Sequence, residues 1–584
     1  MQPTGLNLTL PCHTDGFSHL VDALKYAARG DTGYNFYDGR GELSTVLSYR
    51  TLLNEAKVLA RRLLGMGCRR GDRVALVGET DPMFHRFFFA CQYAGLIPVA
   101  LPAGVQLGAR QAYKEQLRRM LRSCGARIAI APESHRGFLA EAARPLDGLD
   151  FGTPEDFEEL PDADLALRPL PSSEPAYLQF TSGSTQFPRG VEITQQALLA
   201  NLRDIAKHGL KINASDRVTT WLPFYHDMGL VGSVLLPLIC QLSTDYISPR
   251  SFAMRPRLWL KLLSDNRGTM STSPPFGYEL CAKRVRLAGN ERYDLSGWRV
   301  ACVGAERIHP EPLRRFARAL EPAGFDPKAF VACYGMAECA LAISFEQLGS
   351  GLYVDVVKKN AMLEYGIAEA VAEEHAQRRD TLSFVDCGRL LPSYSMSIRD
   401  AGGIELPERH CGRIYLKGPS IMHGYFGDPE ATRKVLSDDG WLETGDIGYR
   451  IDSRIVVTSR SKDTIIVNGR NIWPHDLEYI AGRLPGVRFG NASAFSVPDD
   501  EFKEQVVVVV ESRERNPAKL KRLAEELMVR IQIHFGIRCH VDLVPPHTLP
   551  RTSSGKLSRS KAKEEYLART RDDSAVSPRQ VSAR

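Results

Sequence analysis

What this chain lacks narrows its identity first. Its twelve cysteines are scattered singly, with no Cys-x-x-Cys pair and no histidine cluster at metal-ligand spacing. Neither a zinc site nor a disulfide framework is expected, and reduced thiols in a cytoplasmic protein fit the pattern. The stretch Met1 to Leu10 has no basic segment leading into an apolar one, so no signal peptide is read there. The longest greasy run, about Leu230 to Leu242, is broken by Pro237. It is too short to cross a bilayer, and no transmembrane segment is expected. Positive charge is also scarce: the formal net charge is +6, and the stretch from Lys556 to Arg584 alone carries eight Lys/Arg against four Asp/Glu. A basic tail is not a basic face, so no nucleic-acid partner is expected.

What is present is enough for several cores. At 584 residues, with 43% hydrophobic and 25% charged residues, the composition is that of a globular enzyme of two or more domains. Leu52, Ala56, Leu59 and Leu63 recur at helical spacing and stop at Gly65 and Gly67, before the strand-like Arg73-Val-Ala-Leu-Val77. A second such unit runs from Gln111 to Ser123 and on to Ala126-Arg-Ile-Ala-Ile-Ala131. The fold class expected is α/β, with a largely parallel sheet. From Leu382 to Ile455 short strands and turns suggest a β-rich subdomain. After Lys462 a compact α+β unit is expected, with strands over 505–511 and 540–544 and a helix over 517–535. The boundary is placed so that a large domain covers 1–461 and a small one 462–584.

Between two strand-like runs the chain sets Thr181-Ser-Gly-Ser-Thr185 and then Gln-Phe-Pro-Arg189. Glycine lets backbone N–H groups face an anion, hydroxyls add donors, and Arg189 supplies charge, so a nucleoside triphosphate is the expected ligand. It is not the common phosphate loop, because Gly183 and Gly190 stand seven apart and no Lys-Ser/Thr follows. Four more segments follow in order. They are Trp221-Leu-Pro-Phe-Tyr-His-Asp-Met-Gly-Leu230, Cys333-Tyr-Gly-Met-Ala-Glu338, Trp441-Leu-Glu-Thr-Gly-Asp-Ile-Gly-Tyr449 and Pro550-Arg-Thr-Ser-Ser-Gly-Lys556.

These five segments, over roughly Leu43 to Lys561, resemble the adenylate-forming superfamily of acyl-CoA synthetases, luciferases and nonribosomal peptide adenylation domains. The resemblance implies a large N-terminal domain and a small mobile C-terminal one. It also implies attack of a carboxylate on the α-phosphorus of ATP, with Mg²⁺ as the metal. Thr181, Ser182, Gly183, Ser184, Thr185 and Arg189 would hold phosphates. Gly304, Ala305, Glu306, Tyr334, Gly335 and Met336 would frame the adenine, and Asp446 and Arg460 the ribose. Glu338 matches the magnesium-associated glutamate, Lys556 the lysine at the reacting centre and Lys462 the hinge. His226, Met228, Gly229, Gly232, Ser273 and Phe276 would line the acyl path, His226 beside the carboxylate. Arg189 stands where lysine is commoner, and Arg307 where many relatives carry proline.

About forty residues separate Ser344 from Val385, and this insertion, about 352–384, resembles the one that marks fatty acyl-AMP ligases. Leu363, Ile367, Ala370 and Val371 are expected to form a short amphipathic helix in it. Packed on the large domain, the insertion would bias domain rotation, for which about 5.5 kcal/mol carries an equilibrium from 99:1 to 1:99. The branch implies a medium-to-long-chain fatty acid as substrate. The acceptor would be the phosphopantetheine thiol of a separate acyl carrier protein, or of a carrier domain in a polyketide or nonribosomal peptide synthetase. A fatty acyl-CoA ligase and a non-catalytic adenylate-binding module remain the alternatives.

Overall fold

The computed structural model describes residues 2–7, 9–104, 110–181, 188–285, 293–376, 378–467, 470–498, 504–551 and 557–576. Local signals set the first elements. Ser48 accepts a hydrogen bond from the Thr51 backbone N–H at 3.0 Å and so starts helix Tyr49–Gly65. That helix buries Leu52, Ala56, Leu59 and Leu63, and the chain then enters strand Arg73–Val77.

Two sheets carry the large domain. In one, the strands Gly33–Tyr37, Thr244–Ile247, Val218–Thr220, Met270–Ser273, Val300–Val303 and Phe330–Gly335 lie side by side and parallel. Antiparallel strands extend it through Ala342–Phe345 and Arg389–Leu390 to the meander Arg454–Arg460, Leu442–Ile451, Gly412–Lys417 and Ser395–Arg399. The other sheet has seven strands in the order Gly424–Tyr425, Gly190–Thr194, Pro175–Phe180, Ile97–Leu101, Arg73–Val77, Ala126–Ile130 and Asp150–Gly152. Parallel strands such as Arg73–Val77, Ile97–Leu101 and Val300–Val303 are buried on both faces and read as nearly continuous apolar runs, whereas Val218–Thr220, Thr244–Ile247 and Met270–Ser273 bury polar side chains as well.

The C-terminal region is an α+β unit. Strand Val487–Pro498 runs antiparallel to Glu504–Ser512, which runs parallel to Cys539–Val544. Alternation along the middle strand divides its valines. Val506, Val508 and Val510 pack with Leu477, Leu527 and Ile531 of helices Pro474–Gly482 and Pro517–Phe535, whereas Val507 and Val509 face Ala562 and Tyr566 of helix Arg559–Val576.

The insertion departs from the expected form. Its helix spans Lys359–Tyr365 and stops at Gly366, whose φ of +68° is the left-handed cap that glycine adopts without strain. Ile367 and Ala370 therefore lie in extended backbone, bridged to His410 and Val357. Strands Val354–Lys358 and Thr381–Val385 pair beside that helix. Asp355 ties the insertion to the large domain, accepting hydrogen bonds from the Tyr449 hydroxyl at 2.6 Å and from Arg409 at 3.1 Å. Its apolar side, Val357, Met362, Leu363 and Phe384, shares one core with Ile465, Ile472, Trp473 and Leu477 of the small unit. The insertion packs on the large domain, as expected, and also reaches the small unit.

All twelve cysteines are free thiols, and among the described residues no helix is long and apolar enough to cross a membrane. The run at Leu230 begins with a wide-turn helix, Leu230–Leu235, and restarts as Leu236–Ile239 with Pro237 in its first turn.

A buried ion pair pins the parallel sheet. Arg217 places Nε 2.6 Å and Nη2 2.7 Å from the Asp245 oxygens, and its Nη1 donates to the Thr4 carbonyl at 2.7 Å. Arg217→Met, which strands a buried carboxylate, should cost about 3–5 kcal/mol in urea unfolding. Arg217→Met combined with Asp245→Asn should recover some of that loss.

Candidate active site

The site is built around a hairpin that turns at Glu338. Strand Phe330–Gly335 pairs with Ala342–Phe345, and Met336 N–H donates to the Leu341 carbonyl at 2.8 Å. A Cβ on Gly335 would lie 1.9 Å from that carbonyl oxygen, so only glycine fits. Ala340 takes φ +66° and ψ −58°, with Leu341 N–H donating to the Cys339 carbonyl at 2.9 Å. This is the rare γ-turn form, a strained backbone of the kind that collects at functional sites. Ser420 Oγ donates to the same Cys339 carbonyl at 2.7 Å, and Met422 N–H donates to the Glu338 carbonyl at 2.8 Å. These contacts hold the turn in place.

Glu338 is 8% exposed and faces a cavity of about 420 Å³. Its Oε1 accepts from the Tyr425 hydroxyl at 2.9 Å. Tyr425 lies on strand Gly424–Tyr425, paired with Gly190–Thr194, and its ring carries the Arg189 guanidinium 5.2 Å from the centroid. Arg189 also approaches Asp428 at 3.5 Å. Burial pushes the Glu338 carboxyl above the ordinary range, against the Tyr425 hydrogen bond and the Arg460 charge.

A second buried group lies alongside. The Tyr334 hydroxyl donates to Asp446 Oδ2 at 2.7 Å, and Arg460 Nε stands 3.3 Å from Asp446 Oδ1. Sheet register places Asp446 opposite Arg460. The Asp446 carboxylate is the largest influence on Arg460 and holds its pKa above the usual value. The loop after strand Val300–Val303 completes this side. Ala305 adopts φ +69° and reaches the cavity, and a Cβ on Gly304 would lie only 3.0 Å from the Cys333 carbonyl.

The segment after Trp221 forms the opposite wall. His226 caps the short helix Asp227–Gly229, and its Nδ1 lies 2.6 Å from Asp227 Oδ1. Gly229 is fixed by packing, since a Cβ there would sit 2.0 Å from the Pro223 carbonyl. Deeper in, the wall turns apolar through Ile205, Leu210, Val218, Leu236, Met270, Val300 and Phe345. Glycine again makes room: a Cβ on Gly209 would meet the Phe345 ring at 2.7 Å.

Of the residues singled out from sequence, Thr181, Arg189, His226, Met228, Gly232, Ala305, Gly335, Met336, Glu338, Arg460 and Lys462 line this one cavity. Tyr334 and Asp446 stand behind the wall, joined to it by Arg460. Gly304, Glu306 and Gly229 shape the loops without lining it. Ser273 and Phe276 are corrections. Ser273 is buried with Oγ donating to the Pro274 carbonyl at 2.9 Å, and Phe276 is 39% exposed with its edge toward Trp221. Thr272 and Met270 line the cavity from that strand instead. Ser182, Gly183, Ser184, Thr185 and Lys556 lie outside the described residues. The sequence reading missed Tyr425, Gly209 and Phe345, which carry no short motif of their own.

Glu338 is one carboxylate, with no cluster of three or more metal-ligating side chains around it among the described residues. That fits Mg²⁺, which keeps several waters and binds through one or two carboxylates plus substrate phosphates. A cavity lined by both polar and apolar side chains in a large α/β domain, followed by a small α+β unit, is the arrangement of an adenylate-forming enzyme. The family model for the AMP-binding enzymes matches residues 30–426, and that for the AMP-binding enzyme C-terminal domain matches 469–562. The chain belongs to the AMP-binding enzyme family. It is 47% identical to a Caulobacter vibrioides protein named "Putative acyl-CoA synthetase", over 95% of this chain and 96% of the relative. It is 29% identical to a medium-chain-fatty-acid–[acyl-carrier-protein] ligase of Moorena producens, over 95% and 96%. A structure from work on fatty acyl-adenylate ligases from E. coli and L. pneumophila superposes with a TM-score of 0.91 at 44% identity, covering 96% of this chain and 100% of the other.

Burial raises the Glu338 carboxyl, so the folded state binds a proton more tightly than the unfolded chain does. Its favourable contribution is therefore complete at low pH and lost as pH rises through the raised value. Glu338→Gln keeps an acceptor for Tyr425 and removes that loss. Its melting temperature should exceed that of the wild type by a margin that widens from pH 4 to pH 8, and equal margins would refute the assignment.

Proposed function

We propose that the protein activates a medium-to-long-chain fatty acid with ATP, giving acyl-AMP and pyrophosphate. It then passes the acyl group to the phosphopantetheine thiol of an acyl carrier protein. The observation that carries this reading is that one cavity is lined both by the charged and polar side chains of Glu338, Arg189, Arg460 and His226 and by the apolar side chains of Ile205, Leu210 and Phe345. Such a lining suits a ligand that joins a nucleotide to an acyl chain. The ligase from Moorena producens and the fatty acyl-adenylate ligase structure support the choice of substrate and acceptor.

In this reading a carboxylate oxygen attacks the α-phosphorus, and the bond to the bridging oxygen of pyrophosphate breaks. Two anions must meet, so the chain must cancel their repulsion. Arg189 and the loop 181–185 would hold the leaving phosphates, and Asp446 with Arg460 would take the ribose hydroxyls. Tyr334, Gly335, Met336 and the loop 304–306 would hold the adenine, and Lys556 would bring a compact cation to the reacting oxygens. Glu338 would hold Mg²⁺, which when bound supplies charge neutralisation at the phosphates. His226 would orient the carboxylate, which has no proton to lose at neutral pH. Lys462 lies in the turn between strands Arg454–Arg460 and Ile465–Val467 and reaches the cavity, as a hinge between a large domain over 1–461 and a small domain over 462–584 would.

The second reading, a fatty acyl-CoA ligase, is favoured by the name of the Caulobacter relative. Incubation with ATP, laurate and either CoA or a phosphopantetheinylated carrier separates the two. Persistent acyl-AMP with CoA and acyl-carrier with the carrier protein are expected, whereas abundant acyl-CoA would replace the proposal.

Three outcomes follow from the site. Lys556→Ala should lower acyl-AMP formation by roughly 10²–10³ while leaving the melting temperature within a degree or two, and chelation of divalent cations should abolish turnover until Mg²⁺ is restored. Gly209→Ala pushes the Phe345 ring toward the cavity, so pyrophosphate release measured across C6 to C18 acids should shift to shorter chains. An unchanged profile would place the acyl chain elsewhere.

A further inference from the structure

Arg307 stands three residues beyond Gly304, in the loop assigned to the adenine, and takes no part in the cavity wall. Its side chain instead leaves the large domain. Nη1 lies 3.0 Å from Asp476 Oδ1, with the two side chains only 8% and 12% exposed. Asp476 lies in the first turn of helix Pro474–Gly482, where a carboxylate is also favoured by the helix dipole. The guanidinium is 4.9 Å from the centre of the Phe384 ring and 5.7 Å from that of Trp473, two rings that themselves meet edge to face at 5.4 Å. One side chain of the nucleotide loop thus touches the insertion through Phe384 and the small unit through Trp473 and Asp476. Two residues on, His309 stacks flat on Tyr479 at 4.2 Å and 10°.

The contact is strong in one direction and costly in another. A planar guanidinium between two aromatic faces and a carboxylate is what arginine holds better than any other cation. Yet Arg307 Nη1, Asp476 Oδ2 and His475 Nδ1 are all buried without an aligned hydrogen bond among the described residues, so the Arg307–Asp476 contact is an ion pair rather than a directed bond. Burial pushes Asp476 up and His475 well below its usual range.

We propose that Arg307 is a positioning residue that couples the adenine loop to the insertion and the small unit, holding the small unit in its adenylating orientation and releasing it for acyl transfer. This rests on the two half-reactions proposed above. The device needs no substrate contact from Arg307, because it acts on Ala305 and Glu306 through the backbone and on the small unit through Asp476. The same placement brings Arg551, five residues before Lys556, under the influence of the Glu306 charge.

The test separates the half-reactions in the full-length protein. Arg307→Met, Asp476→Asn, the double variant and Arg307→Lys are compared with wild type in ATP–pyrophosphate exchange with laurate and in single-turnover transfer from purified acyl-AMP to a phosphopantetheinylated carrier, with melting temperatures as a folding control. Arg307→Met should lower kcat for exchange about tenfold with KM for laurate unchanged, while transfer stays at least as fast as in wild type. The double variant should be no slower in exchange than Arg307→Met alone, since both changes remove one contact. Arg307→Lys, which keeps charge but not planarity, should fall between. Equal loss in both half-reactions, no loss in either, or independent multiplication of the two single effects would overturn the proposal. Absence of exchange in the wild type would instead overturn the functional reading.

Discussion

The hairpin that turns at Glu338 is the constraint on which the site depends. Its first strand is the last of the parallel series and its second begins the antiparallel meander, so the two halves of the large sheet meet there. Tyr334, Glu338, Leu341 and Phe345 all lie on it, spanning the path from the buried Asp446 to the apolar end of the cavity. The turn closes only because Gly335 admits the Leu341 carbonyl and Ala340 accepts a strained φ. Contacts from Ser420, Met422 and the strands on either side offset that strain, and the result is a carboxylate held rigidly at the cavity wall.

Electrostatics then follow from burial. Glu338 and Asp446 are both nearly inaccessible, and each is held by a tyrosine hydroxyl, Tyr425 and Tyr334. The neutral Tyr425 donor steadies Glu338 without cancelling its charge, whereas Asp446 is also paired with Arg460 at 3.3 Å. Arg460 and Arg189 supply positive charge at the rim, where solvent still reaches them. The site is therefore preorganised for a polyanion that brings its own metal.

The insertion is attached to both units, and Val354, Val356 and Val385 also pack into the core of the large domain. Asp355 fixes it to the large domain through directed hydrogen bonds from Tyr449 and Arg409, and its apolar side enters the core of the small unit. Lys359 Nζ adds a directed contact to that apolar packing, donating to the His534 carbonyl of the small unit at 2.8 Å. Rotation of the small unit would expose Val357, Met362, Leu363 and Phe384 to water, which gives the insertion a direct energetic hold on domain position.

Much of this was legible before the fold was known. The alternating helices and strands, the α+β end and the order of five short segments determined the class of enzyme and its nucleotide site, because glycines, hydroxyls and carboxylates at fixed offsets encode local turns. The insertion's helix was misjudged beyond Tyr365, since the apolar positions 367, 370 and 371 fit helical spacing as well as the bridged extended chain that Gly366 enforces. Ser273 was misplaced because the two faces of its strand look alike when both are buried, and Phe276 because it lies on the exposed side of helix Pro275–Arg284. By itself the sequence determined the family, through the order of its segments, and singled out Glu338, Arg189 and Arg460, which the structure brings to one cavity. Only the tertiary structure decided that Tyr425 reaches Glu338 from 87 residues away, that Phe345 rests on Gly209, and that Arg307 turns from the nucleotide loop to Asp476. Those contacts arise from the packing of distant segments, and no periodicity within one segment records its partner.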